Sequence, residues 1–272
     1  MRKYKLSLLL VLLLAVWSGS IGYYESQKLK KPIFLEHYYE LDASLFAHTS
    51  IYYIANTDMK KKPYQYELPN GAWLRVHHSL PRSEYGRLQV MEQILSPATF
   101  DMQKITEPYA FDRMRVYYTD GTEEVVSIGS ITIFPNRSVT GESRMEQAHS
   151  GGSSDGSGSS GYRVKQAITL QSLKLSFERQ LRGVFTAELN GKDAMDRKSY
   201  PMTLQPGDYI GMEYRFELPP MDERRHYAYR LRLTLLDAEG REAASHGIIG
   251  QWPQFDNREL LSYVRQRNGG QD

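Results

Sequence analysis

Hydrophobic and polar residues alternate along much of this chain with a period of two. Segments 212–217 and 230–235 show it most clearly, with an apolar side chain at every second position: Met212, Tyr214, Phe216, Leu231, Leu233 and Leu235. Because successive side chains of a strand point to opposite faces of a sheet, this period predicts antiparallel strands with one buried face and one wet face. The pattern therefore predicts an all-β protein.

Turn residues separate the predicted strands. Asp120 and Gly121 lie between two runs of strand-forming residues. An Asp-Gly pair in this position favours a two-residue hairpin in which both turn residues have positive φ. That turn would place Val116 opposite Val125.

A helix is predicted only near the C-terminal end. Asp256 or Asn257 can cap it, since short polar side chains accept hydrogen bonds from the first free amides of a helix. Three apolar residues would then share one side of the helix: Leu260, Leu261 and Val264.

The N-terminal end carries a different pattern. Basic residues precede an apolar run from Leu6 to Trp17 that only Ser7 interrupts. A basic start followed by an apolar stretch is typical of an export signal, so residues 1–24 are predicted to be a signal or a transmembrane anchor. A retained anchor predicts a single-pass protein of the cell membrane, with the bulk of the chain extracytoplasmic. The small residues around Ser20 leave open the alternative of secretion after cleavage there.

Residues 150–161 consist almost entirely of glycine and serine. No side chain in such a run can bury much apolar area, so its composition predicts a flexible coil. This coil is either a linker between two domains or a loop within one domain. The predicted organisation is two antiparallel β-sandwich (Ig-like) domains with flanking segments: anchor or signal 1–24, tether 25–31, first sandwich 32–149, linker or loop 150–161, second sandwich 162–255, and C-terminal helix and tail 256–272.

Composition excludes several classes of function. The chain has 272 residues, a formal net charge of +2 and no cysteine. Disulfides and zinc sites built on thiolates are therefore excluded. The near-neutral charge argues against a nucleic-acid partner, because phosphate binding needs clustered cationic side chains.

The residues that could support catalysis or metal binding form no motif. His77 and His78 are adjacent, but neighbours on a strand point to opposite faces, so their rings are predicted to diverge. Carboxylates such as Glu213 and Glu217 are interpreted as solvated charges of a sheet surface. The sequence thus predicts no catalytic residue, no metal site and no cofactor.

Tyrosines offer the one suggestive surface. Three adjacent pairs occur in the first half of the chain: Tyr38 and Tyr39, Tyr52 and Tyr53, and Tyr117 and Tyr118. One ring of each pair must face outward on a strand with a wet face, so neighbouring strands would form a tyrosine-rich patch. Such a patch can bind a protein or stack against a sugar. The alternative is that tyrosine is simply favoured in strands and binds nothing here.

The leader, the segment Pro32-Ile33-Phe34-Leu35-Glu36-His37-Tyr38-Tyr39 and the β-rich remainder resemble exported or single-anchor envelope proteins of Gram-positive bacteria. The resemblance covers the whole chain, implies a cell-envelope location and carries over no catalytic residue. The sequence therefore favours a non-enzymatic, membrane-anchored binding or assembly protein with another envelope protein as its partner. The alternative is a carbohydrate-binding module or a hydrolase of cell-wall polymer.

Overall fold

The structure, a computed structural model, describes residues 2–26, 28–99, 104–136, 144–153 and 155–268. Strands predominate: β1 (Ile33–Phe34), β2 (His37–Asp42), β3 (Thr49–Asn56), β4 (Pro63–Glu67), β5 (Trp73–Tyr85), β6 (Leu88–Pro97), β7 (Tyr109–Tyr118), β8 (Glu123–Phe134), β9 (Met145–Gly152), β10 (Ser157–Val164), β11 (Ile168–Leu175), β12 (Phe185–Leu189), β13 (Lys192–Asp193), β14 (Met202–Leu204), β15 (Tyr209–Phe216), β16 (Ala228–Asp237) and β17 (Glu242–Gln251). The α-helices are α1 (Arg2–Ser26), α2 (Ala43–Phe46), α3 (Glu178–Leu181) and α4 (Asn257–Asn268). The predicted mostly β fold with a short C-terminal helix is confirmed.

The strands form two sheets. The larger has twelve strands in the order β1-β3-β6-β5-β4-β7-β8-β2-β16-β11-β14, with β17 paired to β16. The smaller has the order β13-β12-β15-β10-β9. Most pairs are antiparallel, but β2 lies parallel to both β8 and β16. Because β2 comes from the first half of the chain and β16 from the second, the pairing of β2 with β16 joins the two halves.

The first part of the large sheet closes on itself. Strands β1 and β2 follow one another, yet β1 pairs with β3 at one end of the strand order and β2 pairs with β8 at the other. This curled sheet encloses a core of apolar side chains that includes Leu35, Ile51, Tyr66 and Val116. A separate core takes its side chains from both sheets, among them Leu170, Ile210 and Leu233.

His37 holds the closure together. The amide of Tyr52 on β3 donates to its Nε2 (2.8 Å), and its Nδ1–H donates to the carbonyl of Ile128 on β8 (3.0 Å). An amide can only donate, so this pair of bonds requires the neutral ring with its proton on Nδ1. Gly129, at φ +94°, lets the backbone of His37 approach, since a Cβ there would lie 2.6 Å from the His37 nitrogen.

Most of the glycine- and serine-rich run lies in two strands. Residues from 145–152 and 157–164 form the paired strands β9 and β10, and β10 also pairs with β15. The side chains that β10 lacks come from β15, because Tyr214 covers Gly158 and Tyr209 covers Gly161. The predicted flexible coil is wrong for these strand residues. The role of 150–161 as a linker or loop and the division into two domains stay predictions.

The Asp120 turn differs from the predicted one. Gly121 has φ +80°, but Asp120 does not have a positive φ. The Tyr118 carbonyl accepts from the Gly121 amide (2.9 Å), and the Tyr118 amide donates to the Thr122 carbonyl (2.9 Å). These bonds define a three-residue loop with the glycine as a bulge, instead of the two-residue primed turn. The extra residue moves the register by one, so Val116 lies opposite Glu124.

The N-terminal helix corrects the prediction about the membrane. Among the described residues, no helix is both long and apolar enough to cross a membrane. The predicted single-pass membrane location, with the membrane as an N-terminal partner and the bulk of the chain extracytoplasmic, is therefore wrong. As a helix, the apolar run from Leu6 to Trp17 is about 18 Å long, whereas the hydrocarbon core of a membrane is about 30 Å thick. The small residues Ser18, Gly19 and Ser20 end this apolar run.

In the segment predicted as a tether, 25–31, three residues make contacts with the rest of the fold. Leu29 is buried, and the side-chain amide of Asn56 binds both its backbone amide (3.0 Å) and its carbonyl (2.8 Å). Arg87 pairs with Glu25 at the end of α1 (3.1 Å). Lys31 pairs with Glu124 (2.6 Å). These contacts anchor the segment to the first core.

The C-terminal helix also packs on the first core, although it follows the second half of the chain. Asp256 caps it: its carboxylate accepts from the Glu259 amide, and the Glu259 carboxylate accepts from the Asp256 amide (both 2.8 Å). Leu260 and Val264 are buried in the first core, while Leu261 packs against it. The cap and the apolar side of this helix are therefore as predicted.

Candidate functional site

The three tyrosine pairs do not form one exposed patch. Tyr39, Tyr52, Tyr53 and Tyr118 each expose 7% or less of their surface. Three of these hydroxyls bind inside the protein: Tyr39 to the Ser50 carbonyl (2.9 Å), Tyr52 to Glu92 (3.0 Å) and Tyr118 to Glu124. The predicted patch is therefore wrong in its geometry, because β3 is buried on both faces.

Tyr38 is half-buried where the two halves of the chain meet. Its ring contacts Phe177 (5.4 Å between centroids), Tyr227 (5.6 Å) and Tyr229 (5.6 Å). Burial and the nearby Glu36 carboxylate raise the pKa of Tyr38, so the ring is neutral at physiological pH. Its contacts are with neighbouring aromatic rings of the fold, and we interpret it as part of the packing between the halves.

Tyr117 lies on a different surface, the outward face of β4, β5, β7 and β8. The strand register places Glu67 between Trp73 and Arg115, and Arg115 opposite Val125, so four side chains form a row across four strands. Tyr117 lies beside this row, and its ring packs on that of Trp73 (5.0 Å, 34°). We call this surface the Trp73 face; its members are Trp73, Glu67, Arg115, Tyr117, Glu123 and Val125.

Ionic and hydrogen-bonding contacts hold the Trp73 face in place. The Tyr117 hydroxyl donates to Glu67 (2.8 Å), and Arg115 lies between Glu67 (3.5 Å) and Glu123 (2.6 Å). Burial and the hydrogen-bonded Glu67 carboxylate raise the pKa of Tyr117 to about 12. Val125 exposes 56% of its surface beside these groups. The face is thus an ordered mixture of aromatic, apolar and charged groups.

Two depressions flank the Trp73 face. One, of about 180 Å³, includes Glu67, Arg115 and Val125 of the face itself. The other, of about 540 Å³, is lined by Asn70, Thr99 and the segment 104–109. Thr99 connects it to the face, because its hydroxyl accepts from the amide of Trp73 (2.9 Å). Concave surface therefore adjoins the Trp73 face at Glu67, Arg115 and Val125 and at Thr99.

A third concavity, of about 450 Å³, lies on the smaller sheet. Small or polar side chains of β10, β12 and β15 line it, including Ser157, Ser159 and Thr186. Glu188 lies directly opposite Glu213 across β12 and β15. Paired positions of this kind bring side chains side by side, with Cβ atoms about 5 Å apart. The two carboxylates are exposed and face the same open concavity.

The adjacent histidines are closer than the strand rule predicts. The rings of His77 and His78 lie 4.2 Å apart, because the register of β5 shifts between Val76 and His78 and leaves His77 as an extra residue. Within the part of the chain that the structure describes, no three His, Asp or Glu side chains are placed to hold a metal ion.

Sequence reasoning found Tyr117 but missed Trp73. The signal was present, since Trp73 follows the Asn70-Gly71 turn at the start of a strand and is one of three tryptophans. What the sequence does not contain is the register that places Trp73, Glu67 and Arg115 in one row. Those residues come from three strands separated by up to 48 positions.

Comparison with known proteins shows no family for this chain. No protein-family model matches this chain, and no curated protein matches it. The crystal structure of the Pseudomonas aeruginosa CupB2 chaperone is similar over 78% of this chain and 97% of that chain, with 7% sequence identity and a TM-score of 0.16. A TM-score this low carries no argument about fold or function.

Proposed function

We propose that this protein is a non-enzymatic binding or assembly protein that engages another protein through the Trp73 face. The main supporting observation is the Trp73–Tyr117 pair beside Arg115 on one outward face. Glu67 binds both Tyr117 and Arg115 there. Tryptophan, tyrosine and arginine are the residues most enriched among those that dominate binding energy at protein interfaces.

The contacts within the face support this proposal. Ordering long side chains at an interface costs about 0.5–1.5 kcal/mol each, and a side chain that is already held avoids part of that cost. Arg115 and Tyr117 are held by carboxylates before any partner arrives. The exposed Val125 supplies apolar area next to them. The face therefore combines anchoring groups with little ordering cost.

Site-specific photo-crosslinking in cells tests this proposal. A photo-crosslinking amino acid at position 125 should capture a discrete partner, whereas one at Leu80, exposed to a similar extent on the far part of β5, should not. Trp73→Ala should abolish the adduct at position 125, while Tyr117→Phe, which removes only the hydroxyl, should weaken it. Equal adducts from both positions, or an adduct at position 125 that survives Trp73→Ala, would contradict the proposal.

The concavity of the smaller sheet favours a second candidate, a carbohydrate-binding module or a polysaccharide hydrolase. Glu188 and Glu213 face the same concavity there, and glycosidases use a pair of carboxyl groups that flank the scissile bond. Titration calorimetry with oligosaccharides separates the candidates. Binding lost in Glu213→Gln but kept in Trp73→Ala would favour the carbohydrate site over the protein-binding face.

We also propose that the two cores belong to two β-sandwich domains, as the alternation of the sequence suggested. The separate clusters of buried residues support this division. Gly191 has φ +75° in the second half, so Gly191→Val should strain that half alone. Separate thermal transitions in the variant would support two domains. A single early transition of the whole chain would oppose them.

A further inference from the structure

His226 lies between the second half of the chain and the C-terminal helix. It ends a short turn, Glu223–His226, and its ring stacks on Phe255 with centroids 4.3 Å apart and planes 4° from parallel. The ring of Tyr263 on α4 meets it edge-on at 5.3 Å. Phe255 and Tyr263 are also members of the first core. The imidazole therefore packs against the two aromatic side chains through which the C-terminal segment contacts the first core.

The ring is buried without hydrogen bonds. His226 exposes 7% of its surface, and neither Nδ1 nor Nε2 has a partner among the described residues. A neutral ring can tolerate this position because it buries one N–H and one lone pair between aromatic faces. A protonated ring would bury two N–H donors and a full charge, which is far more costly without partners.

The charged groups around His226 offset only part of that cost. Its own turn contributes Asp222, Glu223 and Arg225, and α4 contributes Glu259. Glu259 is already bound to Arg225 (2.5 Å) and to the amide of Asp256 (2.8 Å), while Asp222 binds Arg224 (2.6 Å). Burial is the main cause that lowers the pKa of His226, and Arg225 adds to it. The Glu259, Glu223 and Asp222 carboxylates raise it, but the net shift is downward.

We propose that His226 is an acid-sensitive latch, whose protonation releases the C-terminal segment 255–268 from the first core. In the released state the ring is solvated and binds a proton with an ordinary pKa of about 6.5. Linkage then favours release as the pH falls, because the released state binds more protons than the packed state. Between pH 7 and pH 5 the release equilibrium can rise by at most about 25-fold, a limit set by that ordinary pKa.

Hydrogen exchange followed by mass spectrometry on the full chain tests the latch. After correction for the intrinsic pH dependence of exchange, protection of peptides from α4 should fall several-fold between pH 7 and pH 5. His226→Phe keeps an aromatic ring against Phe255 but cannot titrate, so its α4 protection should change less than twofold over this range.

Two results would overturn the latch. They are equal loss of α4 protection in His226→Phe and in the parent protein, and constant α4 protection in the parent protein. If His226→Phe does not fold, NMR titration of the parent His226 ring decides instead. A ring that titrates with a pKa well below 6.5 supports the latch, whereas a ring that titrates at or above 6.5 refutes it.

Discussion

Acid should weaken the closure of the large sheet at His37. Both ring nitrogens are engaged: Nε2 accepts from the Tyr52 amide, and Nδ1–H donates to the Ile128 carbonyl. Protonation at Nε2 would place an N–H against the N–H of Tyr52, so it removes the bond that joins His37 to β3. Burial lowers the pKa of His37 to about 4, with a small further contribution from Arg230.

The sign and size of this change in stability with pH follow from proton linkage. In the unfolded chain His37 titrates near 6.5, so the unfolded state binds more protons than the folded state between pH 6.5 and pH 4. The stability that His37 contributes is complete above pH 6.5, falls as the pH drops through this window and is lost below pH 4. The total is about 3 kcal/mol, and about 1 kcal/mol of it is lost by pH 5.5.

Urea unfolding at pH 7.5 and pH 5.5 measures this loss. His37→Gln is the matched variant, because its amide can donate and accept as the neutral imidazole does but cannot be protonated in this range. The parent should lose about 1 kcal/mol more than the variant between the two pH values. Equal losses in parent and variant would refute the reasoning. Acid effects at His226 are common to both proteins and cancel in the comparison.

Three further changes have expected outcomes in the same unfolding assay. Gly129→Ala should cost about 3 kcal/mol or more, since its Cβ would meet the backbone of β2, whereas Gly71→Ala, with a similar φ but open space, should cost about 1–2 kcal/mol. Gly158→Ala would place a Cβ 2.6 Å from the Gly151 carbonyl oxygen and should cost about 1–3 kcal/mol, whereas Gly151→Ala, in open space, should cost little. Asp256→Ala should cost about 1 kcal/mol and speed amide exchange in the first turn of α4; unchanged exchange would contradict its role as a cap.

Local signals in the sequence predicted local structure well. The alternation around Leu231 and Leu233 corresponds to β16, and the cap at Asp256 corresponds to the start of α4. The turn at Gly121 was also located correctly, but its type was not. A single extra residue in the loop separates the bulged turn from the primed turn, and the Asp-Gly pair is compatible with both.

The glycine-rich strand β10 shows where local reasoning fails. Composition measures what a segment's own side chains can bury, and here they bury almost nothing. Tyr209 and Tyr214, about fifty residues further along the chain, cover Gly161 and Gly158 from the neighbouring strand. A run of small residues can therefore be a strand when a partner supplies bulky side chains on both faces. That partner is a property of the register, which composition does not contain.

The same reasoning explains why the tyrosine pairs did not give an exposed patch. Adjacent residues on a strand point to opposite faces, and the prediction assumed that one of those faces is wet. Strands β2 and β3 lie at the closure of the sheet, where Tyr39 and Tyr52 pack around His37 and Tyr53 packs on Phe34. Both faces are covered there, so the alternation remains but no longer separates inside from outside. β7 lies away from the closure and keeps a wet face, which is why Tyr117 alone of its pair reaches the Trp73 face.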